Sequence, residues 1–163
     1  MNWLKTYENF TSIVKIKKDK YLFDDGYQID YEFYSGKDYI GKCEVNTTFK
    51  KDDFDDKSDF NWDYSRLFNY NNPVKKSYYK KYPYFIKISG FEIEDEYKGQ
   101  GLGYKSFQIV LSDIEKDFPE NQGIYLEVFS ENKPAVKIYT RFGFKIVKEY
   151  YFSDGEKVYR MKK

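Results

Sequence analysis

Ile86–Gln108 reads IKISGFEIEDEYKGQGLGYKSFQ, and its punctuation organises the rest of the chain. Ile86, Ile88 and Ile93 are β-branched and Phe91 is aromatic, the composition of a buried strand. A short acidic turn follows, then Gly99, Gly101 and Gly103 at alternate positions, then an amphipathic run. Glycines in such a place let backbone approach a phosphate closely, and the free N–H groups of a helix start point at it. The stretch predicts strand, turn, glycine loop and helix, with a phosphate-bearing ligand held by backbone rather than by side chains.

Three short patterns compete for that loop. A dinucleotide fingerprint, G-x-G-x-x-G, started at Gly99 ends on Tyr104 and fails. A nucleotide P-loop, G-x-x-x-x-G-K-[ST], fits from Gly99 through Lys105 and Ser106 except that Tyr104 again replaces glycine. Lys98-Gly99-Gln100-Gly101-Leu102-Gly103 resembles [QR]-x-x-G-x-[GA], the pyrophosphate loop of the GCN5-related N-acetyltransferase (GNAT) family. It matches the form R-G-x-G-x-G, with Lys98 at the usual Arg or Gln. A plain glycine-rich turn before a helix stays open at this point.

Composition narrows the chemistry. At 163 residues the chain suits one domain with a real core, and a net charge of +1 sets up no field toward nucleic acid or membrane. No apolar run reaches the length of a membrane span and the N-terminus lacks a signal-peptide core, so a soluble cytoplasmic protein is expected. With no histidine and one cysteine, Ser-His and Cys-His nucleophiles, His-ligated metals, cysteine zinc sites and internal disulfides are all excluded. Cys43 lies in a strand-like run and reads as a small buried residue. Catalysis must then use carboxylates, Tyr, Lys or backbone N–H groups, with no metal. Nineteen Tyr, fifteen Phe and one Ala point to an AT-rich genome, so a tyrosine at a given place means little by itself.

Along the chain, residues 1–10 form a short helix or loose arm. Ser12–Lys18 and Tyr27–Tyr34 alternate as strands, Ser35-Gly36-Lys37-Asp38 turns, and Tyr39–Phe49 returns. Residues 50–80 split into an acidic half and a basic, tyrosine-rich half from Asn71 to Tyr84, with a short helix near Trp62–Tyr70. They read as a solvated insertion whose charges partly cancel, ahead of a cation-attracting or single-strand-binding surface. Leu102–Phe118 carries a helical stripe, stopped by Pro119. Ile124–Phe129 is a strand. Asn132 caps a helix with Pro134 in its first turn, Gly143 ends it, and Phe144–Phe152 with Lys157–Met161 closes a hairpin.

Leu126–Phe144, LEVFSENKPAVKIYTRFGF, decides among the three patterns. It resembles the second GNAT signature, L-x-V-x-x-x-N-x-x-A-x-x-x-Y-x-x-x-G-F, without a gap, one helix and one strand after the glycine loop. A P-loop enzyme would need a further acidic strand for magnesium. The resemblance covers residues 86–163, and residues 1–80 match only as generic strands. The two helices that the family usually places after its first strand are not visible there; residues 50–80 are their replacement.

The resemblance implies an α/β (α+β) fold, a mixed, mainly antiparallel sheet flanked by helices and split beside an acyl-CoA slot. It implies one domain over 1–163, with a divergent acceptor-side half (1–80, insertion 50–80) and an acetyl-CoA-binding half (86–163). The implied reaction is direct attack of a primary amine (protein N-terminus, lysine or small amine) on acetyl-CoA. Backbone groups of Phe91, Glu92 and Ile93 would bind the pantetheine arm and polarise the carbonyl. The segment Lys98, Gly99, Gln100, Gly101, Leu102, Gly103 and Tyr104 would hold the pyrophosphate. Asn132 would touch the cofactor arm and Tyr139 would protonate the departing thiolate. For the base, Glu127 ranks ahead of no dedicated base, and that ahead of Glu92. A packing role for Tyr139 and a surface role for each carboxylate stay open. So does a non-catalytic acyl-CoA-binding or protein- or nucleic-acid-directed module on the same fold. Acetyl-CoA and an amine acceptor are the expected partners, without membrane or nucleic acid; a homodimer is left open.

Overall fold

The computed structural model describes residues 14–23, 26–48 and 84–163. The expectations for residues 1–10 and 50–80, including the helix near Trp62, lie outside the described residues. The described elements are β1 (Val14–Phe23), β2 (Gly26–Ser35), β3 (Asp38–Thr48), β4 (Phe85–Ile93), α1 (Leu102–Asp117), β5 (Ile124–Phe129), α2 (Lys133–Arg141), β6 (Lys145–Tyr151) and β7 (Lys157–Lys162). One sheet takes them in the order β1-β2-β3-β4-β5-β7-β6. Every adjacent pair is antiparallel except β4–β5, which is parallel and pairs only Ile86 with Ile124, Lys87 with Tyr125 and Ile88 with Leu126. This is the mixed, mainly antiparallel sheet that the sequence predicts. Among the described residues no helix is long and apolar enough to cross a membrane.

Strands β2 and β3 follow the period-2 rule. Ile29, Tyr31 and Phe33 of β2 are buried, as are Cys43, Val45 and Thr47 of β3, while the residues between them are polar and half-exposed. Gly36, at φ 66, makes their turn. The first strand departs from expectation: it runs past Lys18 to Phe23. Its apolar alternation fails because two inward positions are lysines. Lys18 Nζ reaches Asp113 Oδ2 (2.5 Å) and Asp117 Oδ2 (2.7 Å) on α1, and Lys20 Nζ lies 4.3 Å from the Tyr27 ring centroid. Long aliphatic stems cover the edge of the core while their charges meet carboxylates on the helix.

A parallel pair needs a crossover, and α1 supplies it on one face of the sheet. Leu102, Phe107, Val110, Leu111 and Ile114 line its buried stripe, and Phe118 closes its C-terminus by an N–H bond to Ile114 O (2.8 Å). Helix α2 packs beside it on the same face. Asn132 caps α2, its Oδ1 accepting from Ala135 N at 3.2 Å, and Gly143 at φ 89 follows its end. Phe107 is the hub between the layers, with Phe91, Tyr139, Phe142 and Phe144 at centroid distances of 5.1, 4.9, 5.5 and 5.9 Å.

Candidate functional site

The sheet opens where β4 and β5 stop pairing. Beyond Ile88 and Leu126 the two strands have no ladder between them. A bulge reshapes β4 at that point. Its register with β3 jumps from Lys42 opposite Glu92 to Glu44 opposite Ser89, so Gly90 and Phe91 together face Cys43 alone. Gly90 takes φ 58, in the left-handed region that suits glycine. Strand β3 presses on the far side of the bulge. A Cβ on Gly41 would stand 2.1 Å from the carbonyl oxygen of Glu92, so only glycine permits this approach. The end of β4 is thus bent and held from behind, with Phe91, Glu92 and Ile93 along the open edge.

Past Ile93 the acidic turn Asp95–Tyr97 is a single 3-10 turn, and the chain then enters the glycine loop. Gly99 and Gly101 sit at φ 76 and 77, and a Cβ on either would meet nothing within 4 Å, which leaves the concave side of the loop bare. Gly101 is the N-cap of α1 and no side chain caps that helix. The first N–H groups of α1, those of Leu102, Gly103 and Tyr104, have no intrahelical partner by helix geometry, and the helix dipole adds to their positive potential. The side chains of the loop turn away: Lys98 Nζ bonds Asp95 Oδ1 (2.5 Å) and Gln100 Nε2 bonds Glu96 O (3.0 Å). Gly103 is glycine for another reason. A Cβ there would lie 3.4 Å from Ile93 Cγ1 and 3.6 Å from Ile138 Cδ1, so its bareness brings α1, the end of β4 and α2 together. A bare loop, an uncapped helix start and outward side chains fit an anion held by backbone, and a pyrophosphate is such a group.

Tyr139 points into the core from the buried side of α2. It is 5% exposed, packed among Phe91, Phe107 and Phe144, while Asn132 is exposed. Its hydroxyl has no hydrogen-bond partner among the described residues, yet the oxygen is not among the sealed unpartnered atoms. Burial, with a smaller push from nearby Cys43, raises the phenol well above the ordinary tyrosine range. Asn132 spends its carbonyl oxygen on the cap of α2, and its amide N–H groups make no hydrogen bond among the described residues.

Alternation sends Glu92 and Glu127 to the face away from the helices. Glu92 is exposed and pairs with Lys42 at 3.7 Å. Glu127 has a firmer engagement that the sequence does not announce. It faces Arg160 across β5 and β7, and its Oε1 accepts from both Nε (3.0 Å) and Nη2 (2.8 Å). Burial alone would push this carboxyl up. Hydrogen bonds from Arg160 and Tyr150, with the charges of Arg160 and Lys87, outweigh it and hold Glu127 below the ordinary carboxylate range. Nη1 of Arg160 is buried without a hydrogen-bond partner, on a guanidinium whose Cζ lies 5.7 Å from the Tyr150 ring centroid. A carboxylate so placed carries negative charge well and takes up a proton poorly. Arg160, Tyr150 and Gly41 are the residues that sequence reasoning missed; only strand register reveals them.

The structure therefore gathers Phe91, Ile93, Gly103 and Tyr139 on the helix-covered face of the sheet and leaves Glu92 and Glu127 on the opposite face. Comparison with known proteins bears on family and fold. A family model described as an acetyltransferase (GNAT) domain matches residues 77–163, more than half of the chain. An N-alpha-acetyltransferase from Sulfurisphaera tokodaii is 29% identical over 102 residues, covering 61% of this chain and 55% of that protein. A spermine/spermidine N(1)-acetyltransferase from Bacillus subtilis is 37% identical over 73 residues, covering 45% of this chain and 47% of that protein. The chain spans about half the length of these curated relatives. Among solved structures, Arabidopsis thaliana NAA60 in complex with acetyl-CoA superposes with a TM-score of 0.55 at 17% identity, over 83% of this chain and 75% of that one, a likeness of fold. On the family match and the split sheet together, the chain belongs to the GNAT acetyltransferase family.

Proposed function

We propose that the protein transfers an acetyl group from acetyl-CoA to a primary amine. The observation that carries this reading is the interrupted β4–β5 pair beside the uncapped, glycine-lined start of α1. It offers unpaired strand backbone to an amide-bearing arm and helix N–H groups to a pyrophosphate. Bound there, acetyl-CoA supplies an activated thioester.

The residues of the chain then have distinct tasks. N–H groups of Leu102, Gly103 and Tyr104 hold the pyrophosphate. Backbone of Phe91, Glu92 and Ile93 holds the pantetheine arm, and an N–H there polarises the thioester carbonyl as it becomes an oxyanion. The Asn132 amide contacts the arm. The amine approaches from the face carrying Glu92 and Glu127, whose charges attract its cationic form. Glu127, tied to Arg160, is an electrostatic group rather than a base. The ammonium proton leaves to water before attack. A second N–H proton leaves to water as the tetrahedral intermediate collapses, matching the proton gained at sulfur. Tyr139 stays protonated throughout the working pH range. It donates a hydrogen bond to the departing sulfur; full proton transfer from so high a phenol is uphill and occurs only in concert with C–S cleavage.

Calorimetric titration with acetyl-CoA, with ATP and magnesium as control, tests the donor. Micromolar binding of acetyl-CoA and none of ATP is expected, and Gly101→Asp should abolish it by placing bulk and negative charge in the cradle. Thiol release in the presence of peptides with free N-termini, lysine and polyamines then identifies the acceptor. Silence toward acetyl-CoA, or full affinity in Gly101→Asp, would overturn the proposal.

A further inference from the structure

The loop that fits a pyrophosphate continues into one exposed aromatic ring, that of Tyr104, which is 37% exposed. Among the described residues the other exposed aromatic rings lie on β1, β3, β5 and the β6–β7 hairpin, none of them on the glycine loop or α1. Helical side chains lean toward the N-terminus, so the Tyr104 ring covers the turn that precedes its own Cα, the turn whose N–H groups face the anion.

Tyrosines are abundant in this chain, so position alone decides nothing; geometry does. Tyr104 stacks on Phe142 of the α2 C-cap with ring centroids 4.5 Å apart and planes within 26°. Every other ring pair among the described residues is tilted or edge-on. Offset-stacked and edge-on pairs are both favourable in proteins, and this stack stands out because one of its rings is exposed. A parallel stack bridging two helices, with its outer ring exposed, presents a flat π-surface. Phe142 covers one face of Tyr104 and fixes the ring plane, and the opposite face can take another flat ring.

We infer that Tyr104, braced by Phe142, is the platform on which the adenine of the CoA nucleotide stacks, and so selects full-length CoA over donors that end at phosphopantetheine. The inference rests on the acyl-CoA reading above. The adenine is one ribose away from the pyrophosphate, and Tyr104 contributes both the last N–H of the anion cradle and the ring beside it. Base–aromatic stacking needs no hydrogen-bond readout.

The test titrates wild type, Tyr104→Ala, Tyr104→Ile and Tyr104→Phe with CoA, 4′-phosphopantetheine and adenosine 3′,5′-bisphosphate. A thermal melt checks that each variant is folded. The Ala and Ile variants should lose about tenfold affinity for CoA and for the bisphosphate while binding phosphopantetheine as wild type does. The Phe variant, which keeps the ring, should match wild type. Unchanged CoA affinity in the Ala and Ile variants would overturn the stacking role. An equal loss for phosphopantetheine would overturn it too, since Tyr104 would then act through the shape of the loop. If wild type binds neither CoA nor phosphopantetheine, the acyl-CoA reading itself falls.

Discussion

Replacing Tyr139 by phenylalanine separates packing from chemistry. The ring is 5% exposed and touches Phe91, Phe107 and Phe144, so Phe conserves those contacts. The lost hydroxyl has no hydrogen-bond partner among the described residues, so removing it breaks nothing in the fold. Stability should stay within about 0.5 kcal/mol of wild type, because the hydroxyl makes no hydrogen bond within the fold and its oxygen is not sealed from solvent. Turnover should respond differently. A hydrogen bond to a charged group is worth about 1.5–3 kcal/mol, and sulfur becomes charged only as it leaves, so kcat should fall roughly 10- to 150-fold with little change in KM. Paired thermal melts and saturation kinetics by thiol release measure both. An unchanged kcat would refute the assignment of Tyr139 to the leaving group. A melting loss above about 1 kcal/mol would refute the premise that its hydroxyl is free.

Three further outcomes follow from the same geometry. Gly41→Ala places a Cβ against the Glu92 carbonyl, 2.1 Å away before relaxation. It should cost about 1–3 kcal/mol by thermal melt and weaken acetyl-CoA binding by pushing β3 off the bulge. Glu127→Gln keeps an Oε1 that can accept both Arg160 bonds but removes the charge of the pair, and should lower stability by about 1 kcal/mol. Its kcat/KM should stay within about tenfold of wild type and its pH profile should still follow the amine, whereas a loss of about 100-fold or more would restore Glu127 as the base. Alkaline stability should fall because burial raises Tyr31, aided by its bond to Asp113, and likewise raises Tyr139. Below their ordinary value neither form loses a proton and the contribution is intact. Above it only the unfolded chain ionises, so about 1.4 kcal/mol is lost per group by about pH 11, visible as a falling melting temperature.

The sequence announces the cofactor half because its signals are local. Glycines at Gly99, Gly101 and Gly143, the Asn132 cap and the Pro119 stop each act within a few residues, and each stands where the spacing places it. What escaped prediction depends on partners far along the chain. Lys18 and Lys20 break the alternation of β1 because carboxylates roughly a hundred positions later receive them. Glu127 reads as a free carboxylate until β7 brings Arg160 opposite it. The bulge at Gly90 is invisible without the register of β3. The burial of Tyr139 is legible, since a packing role for it is open from the sequence, but its ring partners Phe91, Phe107 and Phe144 are not.

The interruption between β4 and β5 also has a consequence for the life of the protein. A groove made by parting two strands leaves a raw backbone edge in the middle of a sheet, joined below by only three residue pairs. Whatever lies along that edge stitches the two half-sheets together, and it stabilises the folded state by mass action in proportion to the logarithm of its concentration. The melting temperature is thereby tied to the supply of the ligand. Without it the same chain is a softer protein, with its central seam open to solvent and to other strands.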